Sequence, residues 1–222
     1  MSTDIKKVLI FLGPPGCGKG TQAKKVAAKF GYGHISTGDL LRALENDPQG
    51  DTEDKKKLAE MKAGKLVSDN LIYKLAFREI EKYLAAGQGV VLDGAIRNLA
   101  QAQKYQEFFE SKKLAGEVMV IEIALTDEES FNRLTKRRVC AQCGEIIPYL
   151  PSTKDLKKCP KCGGELKIRH DDDPEVIKKR IVEQGNIALR PILDYYEGLG
   201  VLEKVDGMGT IEEVEKEIEK KL

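Results

Sequence analysis

The sequence has almost no net charge and no long hydrophobic run. Its 222 residues include 37 Lys and Arg against 36 Asp and Glu, so the formal net charge is +1. A balance this even gives no general attraction to nucleic acid or to acidic membranes. The first apolar run is too short for a signal peptide, and no run approaches a membrane span. We therefore expect a cytoplasmic protein, with neither nucleic acid nor membrane as a partner.

Cysteine is scarce as well, but its spacing is informative. A reducing cytoplasm disfavours disulfides, so the five cysteines are expected to bind metal or take part in chemistry. Four of them form two C-x2-C pairs: Cys140, Cys143, Cys159 and Cys162. This spacing is typical of a tetrahedral four-cysteine zinc site. With no open coordination position it predicts one structural Zn²⁺ per chain, and rubredoxin-like iron is the alternative.

Apolar runs alternate with helical patterns along the chain. The runs that predict buried parallel strands are residues 8–12, 90–92 and 118–125. Helical patterns cover residues 20–30, 68–84, 99–109, 174–196 and 211–222. This alternation predicts an α/β fold with a parallel sheet flanked by helices. Residues 140–162 break the alternation and predict an inserted small domain, while residues 45–64 predict a helical insertion.

A glycine-rich turn, GPPGCGKGTQ, follows the first predicted strand at residues 13–22. A strand that leads through such a turn into a helix forms an anion site, because backbone N–H groups and the helix dipole face the same point. The pattern nearly matches the P-loop G-x-x-x-x-G-K-[ST], in which the lysine reaches the β- and γ-phosphates. Gly20 stands in the hydroxyl position, and Thr21 comes one residue late.

Asp93 ends the second predicted strand. A carboxylate at the tip of a strand beside the P-loop strand suits a hydrated Mg²⁺, with Asp93 in the outer shell. The alternative is a helix-capping or turn aspartate. Cys17 lies where a helix N-terminus can favour a thiolate, but we interpret it as a small residue that fills the loop.

The whole loop resembles the phosphate loop of the adenylate kinases, which have Gly-Lys-Gly-Thr at this point. Further segments resemble motifs of that family in the same order, at residues 36–42, 64–69, 93–102, 169–180 and 205–207. The resemblance covers nearly the whole chain. It implies a P-loop NTPase-type core of residues 1–35, 68–135 and 173–222, an NMP-binding domain of residues 36–67, and a zinc-ribbon lid of residues 136–172.

The resemblance further implies a monomer that converts MgATP and AMP reversibly into two ADP. The implied ATP contacts are Gly16, Cys17, Gly18, Lys19, Gly20, Thr21, Arg133, Arg137, Ile146, Ile147 and Gly209. The implied AMP contacts are Thr37, Arg42, Lys65, Leu66, Val67, Gly94, Ala95, Ile96, Arg97, Gln101, Arg169 and Arg180. The implied catalytic residues are Lys19, Arg97, Arg133, Arg137, Arg169 and Arg180.

Physical chemistry agrees with this implied reaction. The acceptor is a phosphate oxygen that is already ionised at neutral pH, so neither His34 nor His170 is needed as a base. The reaction needs positioning and dispersed positive charge, which arginine supplies through its planar, bidentate fork. A closing lid would keep water from the γ-phosphate.

Two places depart from the family pattern. The acceptor motif has Ala95-Ile96 where the family has Phe-Pro with a cis bond. A cis bond before a non-proline residue costs about 2.5–4 kcal/mol, so we expect another backbone path there, and we keep AMP as the acceptor. In the lid, Ile146 and Ile147 replace an aromatic-containing pair near adenine, which implies apolar packing without a ring.

Two alternatives stay open at the level of the sequence. One is a kinase for UMP, CMP or another nucleoside monophosphate, against which stand the long lid and Thr37. The other is a non-catalytic nucleotide-binding zinc-ribbon module. Lys19, Asp93 and the six arginines at motif positions count against that module.

Overall fold

The computed structural model describes residues 5–62, 69–149, 153–168 and 172–222. Its strands are β1 (Val8–Leu12), β2 (Gly33–Ser36), β3 (Val90–Asp93), β4 (Val118–Ala124), β5 (Arg138–Cys140), β6 (Ile146–Ile147), β7 (Leu166–Ile168) and β8 (Leu202–Asp206). Its α-helices are α1 (Lys19–Phe30), α2 (Thr37–Asn46), α3 (Thr52–Lys62), α4 (Asn70–Ala85), α5 (Leu99–Ser111), α6 (Asp127–Lys136), α7 (Pro174–Gln184), α8 (Asn186–Gly198) and α9 (Ile211–Glu219). Within these ranges, no helix combines the length and apolar character needed to cross a membrane.

The larger sheet has five strands in the order β2-β3-β1-β4-β8. β1 pairs in parallel with β3 and β4, and β3 pairs in parallel with β2. Every residue of β1 is buried, which explains its unbroken apolar run. The parallel sheet and the three strands predicted from the sequence are confirmed.

The register of this sheet fixes what lies at its carboxyl edge. Phe11 of β1 lies opposite Asp93 of β3, and Asp93 lies opposite Ser36 of β2. Because the three strands are parallel, their carboxyl ends meet at one edge. The carboxyl end of β1 therefore lies beside Asp93, and the chain leaves β2 for α2 at the same edge.

The chain divides into two compact units. The first unit comprises Met1–Leu12, Gly18–Ile123 and Pro191–Leu222, and it contains the five-stranded sheet. The second unit comprises Gly13–Cys17 and Ala124–Arg190.

The second unit contains a small antiparallel sheet in the order β6-β5-β7. The central strand, β5, begins with Arg138, whose guanidinium donates to the carbonyls of Leu156, Thr153 and Lys154. One side chain thus ties the loop that follows β6 to β5.

The predicted single helix over residues 174–196 is wrong, because two helices meet at Gly185. That residue is extended, with φ −82° and ψ −166°, and its N–H still reaches the carbonyl of Ile181 at 2.7 Å. The next residue is held from outside the helix: Asn186 donates its backbone N–H and its side-chain amide to Asp127 Oδ1, at 3.2 and 2.7 Å. The apolar pattern continues across this break, so periodicity alone does not reveal it.

We predict that Gly185→Ala destabilises the protein. A Cβ there would collide with the carbonyl oxygen of Ile181 and lie 2.9 Å from Asp127 Oδ1. We expect a loss of about 1–3 kcal/mol in the free energy of unfolding, measured by denaturant titration. Gly198→Ala is the matched control, since a Cβ there meets nothing within 4 Å. Equal stability of the two variants would contradict this account of the break.

Candidate active site

The glycine-rich turn joins β1 to α1 through three glycines in left-handed or related conformations. Gly13, Gly16 and Gly18 have φ of 146°, 86° and 95°. The first turn of α1 contains no acidic residue, and no side chain caps its start. The N–H groups and the partial positive charge at that start are therefore directed at whatever anion binds there.

The first part of the turn, residues 13–17, belongs to the second unit and packs against α6 within it. The hydroxyl of Ser130 on α6 donates to the carbonyl of Pro15. A Cβ on Gly16 would lie 3.2 Å from both the carbonyl oxygen of Ser130 and Cγ of Leu134. Cys17 is almost fully buried, at 2% exposed. Close packing thus adds to the positive φ in requiring glycine at position 16.

Gly20 occupies the position at which the common P-loop pattern has Ser or Thr, and its surroundings explain why a side chain is disfavoured there. A Cβ at this position would lie 2.9 Å from Asp93 Oδ2. A serine or threonine there would press against the carboxylate, whereas glycine lets Asp93 lie close to the start of α1. A carboxylate oxygen beside an anion-binding helix start suits a hydrated Mg²⁺, so the residues present fit an outer-shell role for Asp93.

His34 lies near the same carboxylate oxygen. Its Nε2 is 3.9 Å from Asp93 Oδ2 and has no hydrogen-bond partner among the described residues. Burial lowers the pKa of His34, and the negative charge of Asp93 opposes that effect. Sequence reasoning did not place His34 at the site. The feature that could have identified it is its position in β2, a short strand that ends at the same sheet edge as β3.

Those residues that the sequence predicted to contact the acceptor, and that the structure describes, follow β2 and β3. Thr37 opens α2 and is 3% exposed, and its buried hydroxyl has no hydrogen-bond partner within the described ranges. Arg42, one turn further on, pairs with Asp39. The Arg42 hydrogen bond and charge lower the pKa of Asp39, although desolvation by burial is the largest single effect and opposes them.

The turn after β3 is ordered by Gln101. Its buried Oε1 accepts from the backbone N–H of Arg97 at 2.7 Å, which leaves the exposed Arg97 side chain facing outward. Gly94 has φ 65°, and the Ala95–Ile96 bond is trans, as predicted for a non-proline residue. Both of these side chains are buried, at 4% exposed. Lys65, Leu66, Val67 and Arg169, also implied as site residues, lie outside the described residues.

Asp172 gathers two of the predicted arginines in the second unit. Arg137 binds it through Nε at 2.8 Å and Nη2 at 2.6 Å, and Arg180 Nη1 lies 3.4 Å from Oδ1. Asp172 is 2% exposed. Arg133 is held separately, by Glu129 at 2.8 Å one turn earlier on α6. The sequence marked Asp172 only as part of a motif and gave it no role.

The predicted adenine contacts lie in different surroundings. Ile147 is 3% exposed, whereas its neighbour Ile146 is partly exposed. Gly209 is exposed and precedes α9, whose start carries a capping box between Thr210 and Glu213. The structure therefore places Gly209 at the surface and Ile147 inside its own unit.

The four predicted metal ligands form one cluster. The sulfur atoms of Cys140, Cys143, Cys159 and Cys162 all lie within 4.8 Å of one another, and all are free thiols. The Cys140–Cys162 and Cys143–Cys159 sulfur distances are 3.4 and 3.7 Å. Tetrahedral Zn²⁺ with bonds of about 2.3 Å requires about 3.8 Å between sulfurs, so the donor set fits zinc. Hydrogen bonds, of which the one from the backbone N–H of Cys143 has the largest effect, lower the pKa of Cys140 to about 6. The backbone N–H of Gly164 lowers the pKa of Cys162, but hydrogen bonds with the other three thiols outweigh it and raise that pKa to about 12, so the cluster favours a thiolate at Cys140 first.

Comparisons of the chain with a family model and with individual known proteins all indicate the same family. The family model described as "Adenylate kinase" matches residues 11–201. The chain is 42% identical to an adenylate kinase of Archaeoglobus fulgidus over 217 residues, covering 95% of each chain. It is 41% identical to an adenylate kinase of Thermodesulfovibrio yellowstonii, over 93% of this chain and 94% of that one. An adenylate kinase of Rhizobium etli is 40% identical, over 95% and 96%.

We predict that Asp172→Asn destabilises the second unit by about 3 kcal/mol, because two arginines lose the buried charge that compensates them. Denaturant unfolding would measure the loss. Asp173→Asn is the matched control, since Asp173 caps α7 through Glu175 N and asparagine caps equally well. Similar stabilities for the two variants would contradict the anchoring role of Asp172.

Proposed function

The chain belongs to the adenylate kinase family, and we propose how its residues share the transfer of a phosphoryl group from MgATP to AMP, which yields two ADP. The observation that carries the assignment is the pairing of Gly20 with Asp93, where the P-loop helix begins beside a strand-end carboxylate. This arrangement supplies an anion site and a cation-compatible oxygen side by side.

We propose that residues 16–21 bind the ATP phosphates through backbone N–H groups, with Lys19 directed to the β- and γ-phosphates. Asp93 would hold Mg²⁺ of the MgATP substrate through its water shell. When bound, Mg²⁺ offsets the negative charge on the phosphate oxygens. Gly20 contributes by letting the carboxylate lie close to the start of α1, where the phosphates would bind.

Arginine supplies the remaining positive charge. We assign Arg97, Arg133, Arg137, Arg169 and Arg180 to the transferred phosphoryl group and the two nucleotides. Asp172 keeps Arg137 and Arg180 preoriented, so that less side-chain entropy is lost when phosphate binds. Such fixed cations stabilise the charge that spreads over the phosphoryl oxygens in the transition state.

On the acceptor side, we assign AMP to Thr37, Arg42, Gly94 and Gln101, together with residues 65–67 and 95–97. The unpartnered buried hydroxyl of Thr37 supports this assignment, because a buried donor without a partner is costly and a bound nucleotide would satisfy it. AMP is ionised at its phosphate, so the step needs no general base.

The division of the chain into a core (1–35, 68–135, 173–222), an NMP-binding domain (36–67) and a lid (136–172) is also a proposal. The small sheet β6-β5-β7 supports a distinct lid. We propose structural Zn²⁺ at the four cysteines, a monomeric state, no nucleic acid or membrane partner, and a cytoplasmic location. Thiolate ligands that must stay reduced favour the last of these.

The activity is tested by coupled detection of ADP with AMP, UMP, CMP and GMP as acceptors. We expect AMP to be preferred, and Lys19→Met to lower kcat by about 10²–10³-fold while the fold is kept. Lys29→Met on the same helix is the control, since it removes only an exposed ion pair with Glu219. A preference for UMP or CMP would favour a pyrimidine kinase, and no turnover with any acceptor would favour a binding module. Near-normal turnover of Lys19→Met would exclude its phosphate role.

Metal analysis tests the zinc assignment. We expect one zinc per chain, lost in Cys143→Ser and kept in Cys17→Ala, which alters a cysteine outside the cluster. Loss of zinc should lower the melting temperature by roughly 5–10 °C, as expected for a few kcal/mol in a chain of this size. An unchanged melting temperature after verified zinc loss would rule out a structural role, and bound iron would identify the alternative metal.

A further inference from the structure

Ser130 lies inside α6, yet its hydroxyl bonds outside that helix. The residue is fully buried, and its hydroxyl donates to the carbonyl of Pro15 in the glycine-rich turn. A serine or threonine inside a helix commonly returns its hydroxyl to a carbonyl one turn earlier. Thr135 on the same helix does so, donating to the carbonyl of Phe131 at 3.0 Å. Of these two hydroxyls of α6, Ser130 is therefore the one that acts on the turn.

The same face of α6 also sets how closely the turn packs against it. Ser130 and Leu134 are four residues apart, so they are neighbours on the helix surface. A Cβ on Gly16 would lie 3.2 Å from the carbonyl oxygen of Ser130 and from Cγ of Leu134. All of these residues belong to the second unit. The Pro15–Gly16 peptide is thus packed against α6 and held there by a hydrogen bond.

The bond from Ser130 also orients the N–H group of Gly16. The Pro15–Gly16 peptide is trans and planar, so its C=O and N–H point in opposite directions. Because the C=O points to Ser130, the N–H points away from it. Gly16 is partly exposed, and its N–H has no hydrogen-bond partner among the described residues. The next N–H, that of Cys17, is used within the turn by the carbonyl of Pro14 at 3.2 Å. The Gly16 N–H is therefore a fixed donor that a ligand can use.

We propose that Ser130 is a positioning residue for the phosphoryl donor: by holding the Pro15 carbonyl, it directs the Gly16 N–H at a phosphate of ATP. This inference rests on the proposed function, in which residues 16–21 bind the ATP phosphates. A donor that is fixed before the ligand arrives loses little conformational freedom on binding. Its hydrogen bond to a charged phosphate oxygen is also stronger than one between neutral groups. Loss of the Ser130 hydroxyl should therefore weaken the binding of ATP and have little effect on AMP.

The first test is steady-state kinetics with Ser130→Ala. We expect KM for ATP to rise about 5- to 50-fold, because the Gly16 donor remains but is no longer held, while KM for AMP changes less than about twofold. Thr135→Ala is the matched control, since it removes a hydroxyl of the same helix that bonds only within that helix. Wild-type turnover with AMP in the same assay checks the proposed function separately.

Three results of these kinetics would overturn the inference when the wild type turns over. The first is an unchanged KM for ATP in folded Ser130→Ala. The second is an equal rise in KM for ATP and AMP, which a merely structural role would produce. The third is an effect of Thr135→Ala on KM for ATP as large as that of Ser130→Ala.

The second test is nuclear magnetic resonance of the wild-type protein, which decides the matter even if Ser130→Ala does not fold. Inorganic tripolyphosphate is the probe. We expect it to shift the Gly16 amide proton strongly downfield, because a hydrogen bond to a phosphate oxygen deshields that proton. Gly31 is the control, since it ends the same helix and its N–H is already bonded to the carbonyl of Ala27. A Gly16 proton that does not move, or moves no more than that of Gly31, would overturn the inference.

Discussion

Strand β1 pairs with β3 so that Phe11 lies opposite Asp93, and the phosphate end of the proposed site depends on this register. The pairing sets where the chain turns out of the sheet into the glycine-rich loop. It also sets which carboxylate stands beside the start of α1. A slip by one residue would turn Asp93 toward the opposite face of the sheet and separate it from Gly20. Backbone hydrogen bonds between two buried strands thus determine the electrostatics of the site.

The second unit holds arginine side chains in fixed positions, so that their positive charge can act on a bound anion. An arginine side chain in water moves freely, and its ion pair with an exposed acid is weakened by solvent screening. Asp172 is buried and accepts from two guanidinium groups at once, so both are held in one region. Arg133 is held by a neighbour on its own helix instead. The unit therefore fixes its cations by local contacts that require no bound nucleotide.

Much of the fold could be predicted because buried parallel strands leave unbroken apolar runs, as at Val8–Leu12. β2 left no such signal, since GHIS holds one fully apolar side chain in four residues. The break at Gly185 depends on Asp127, which is distant in sequence. The cysteine cluster followed from spacing alone, whereas nothing in the run of three aspartates at 171–173 shows that Asp172 carries two arginines.

The contact between Gly20 and Asp93 also limits how the loop can be altered. The position that differs from the usual P-loop pattern is coupled to a residue 73 places further along the chain, because an added side chain at one would meet the carboxylate of the other. The effect of a substitution at either position is therefore expected to depend on the residue at the other. A designer who wishes to install the common Gly-Lys-Ser order would have to choose residues 20 and 93 together, as a single two-site library.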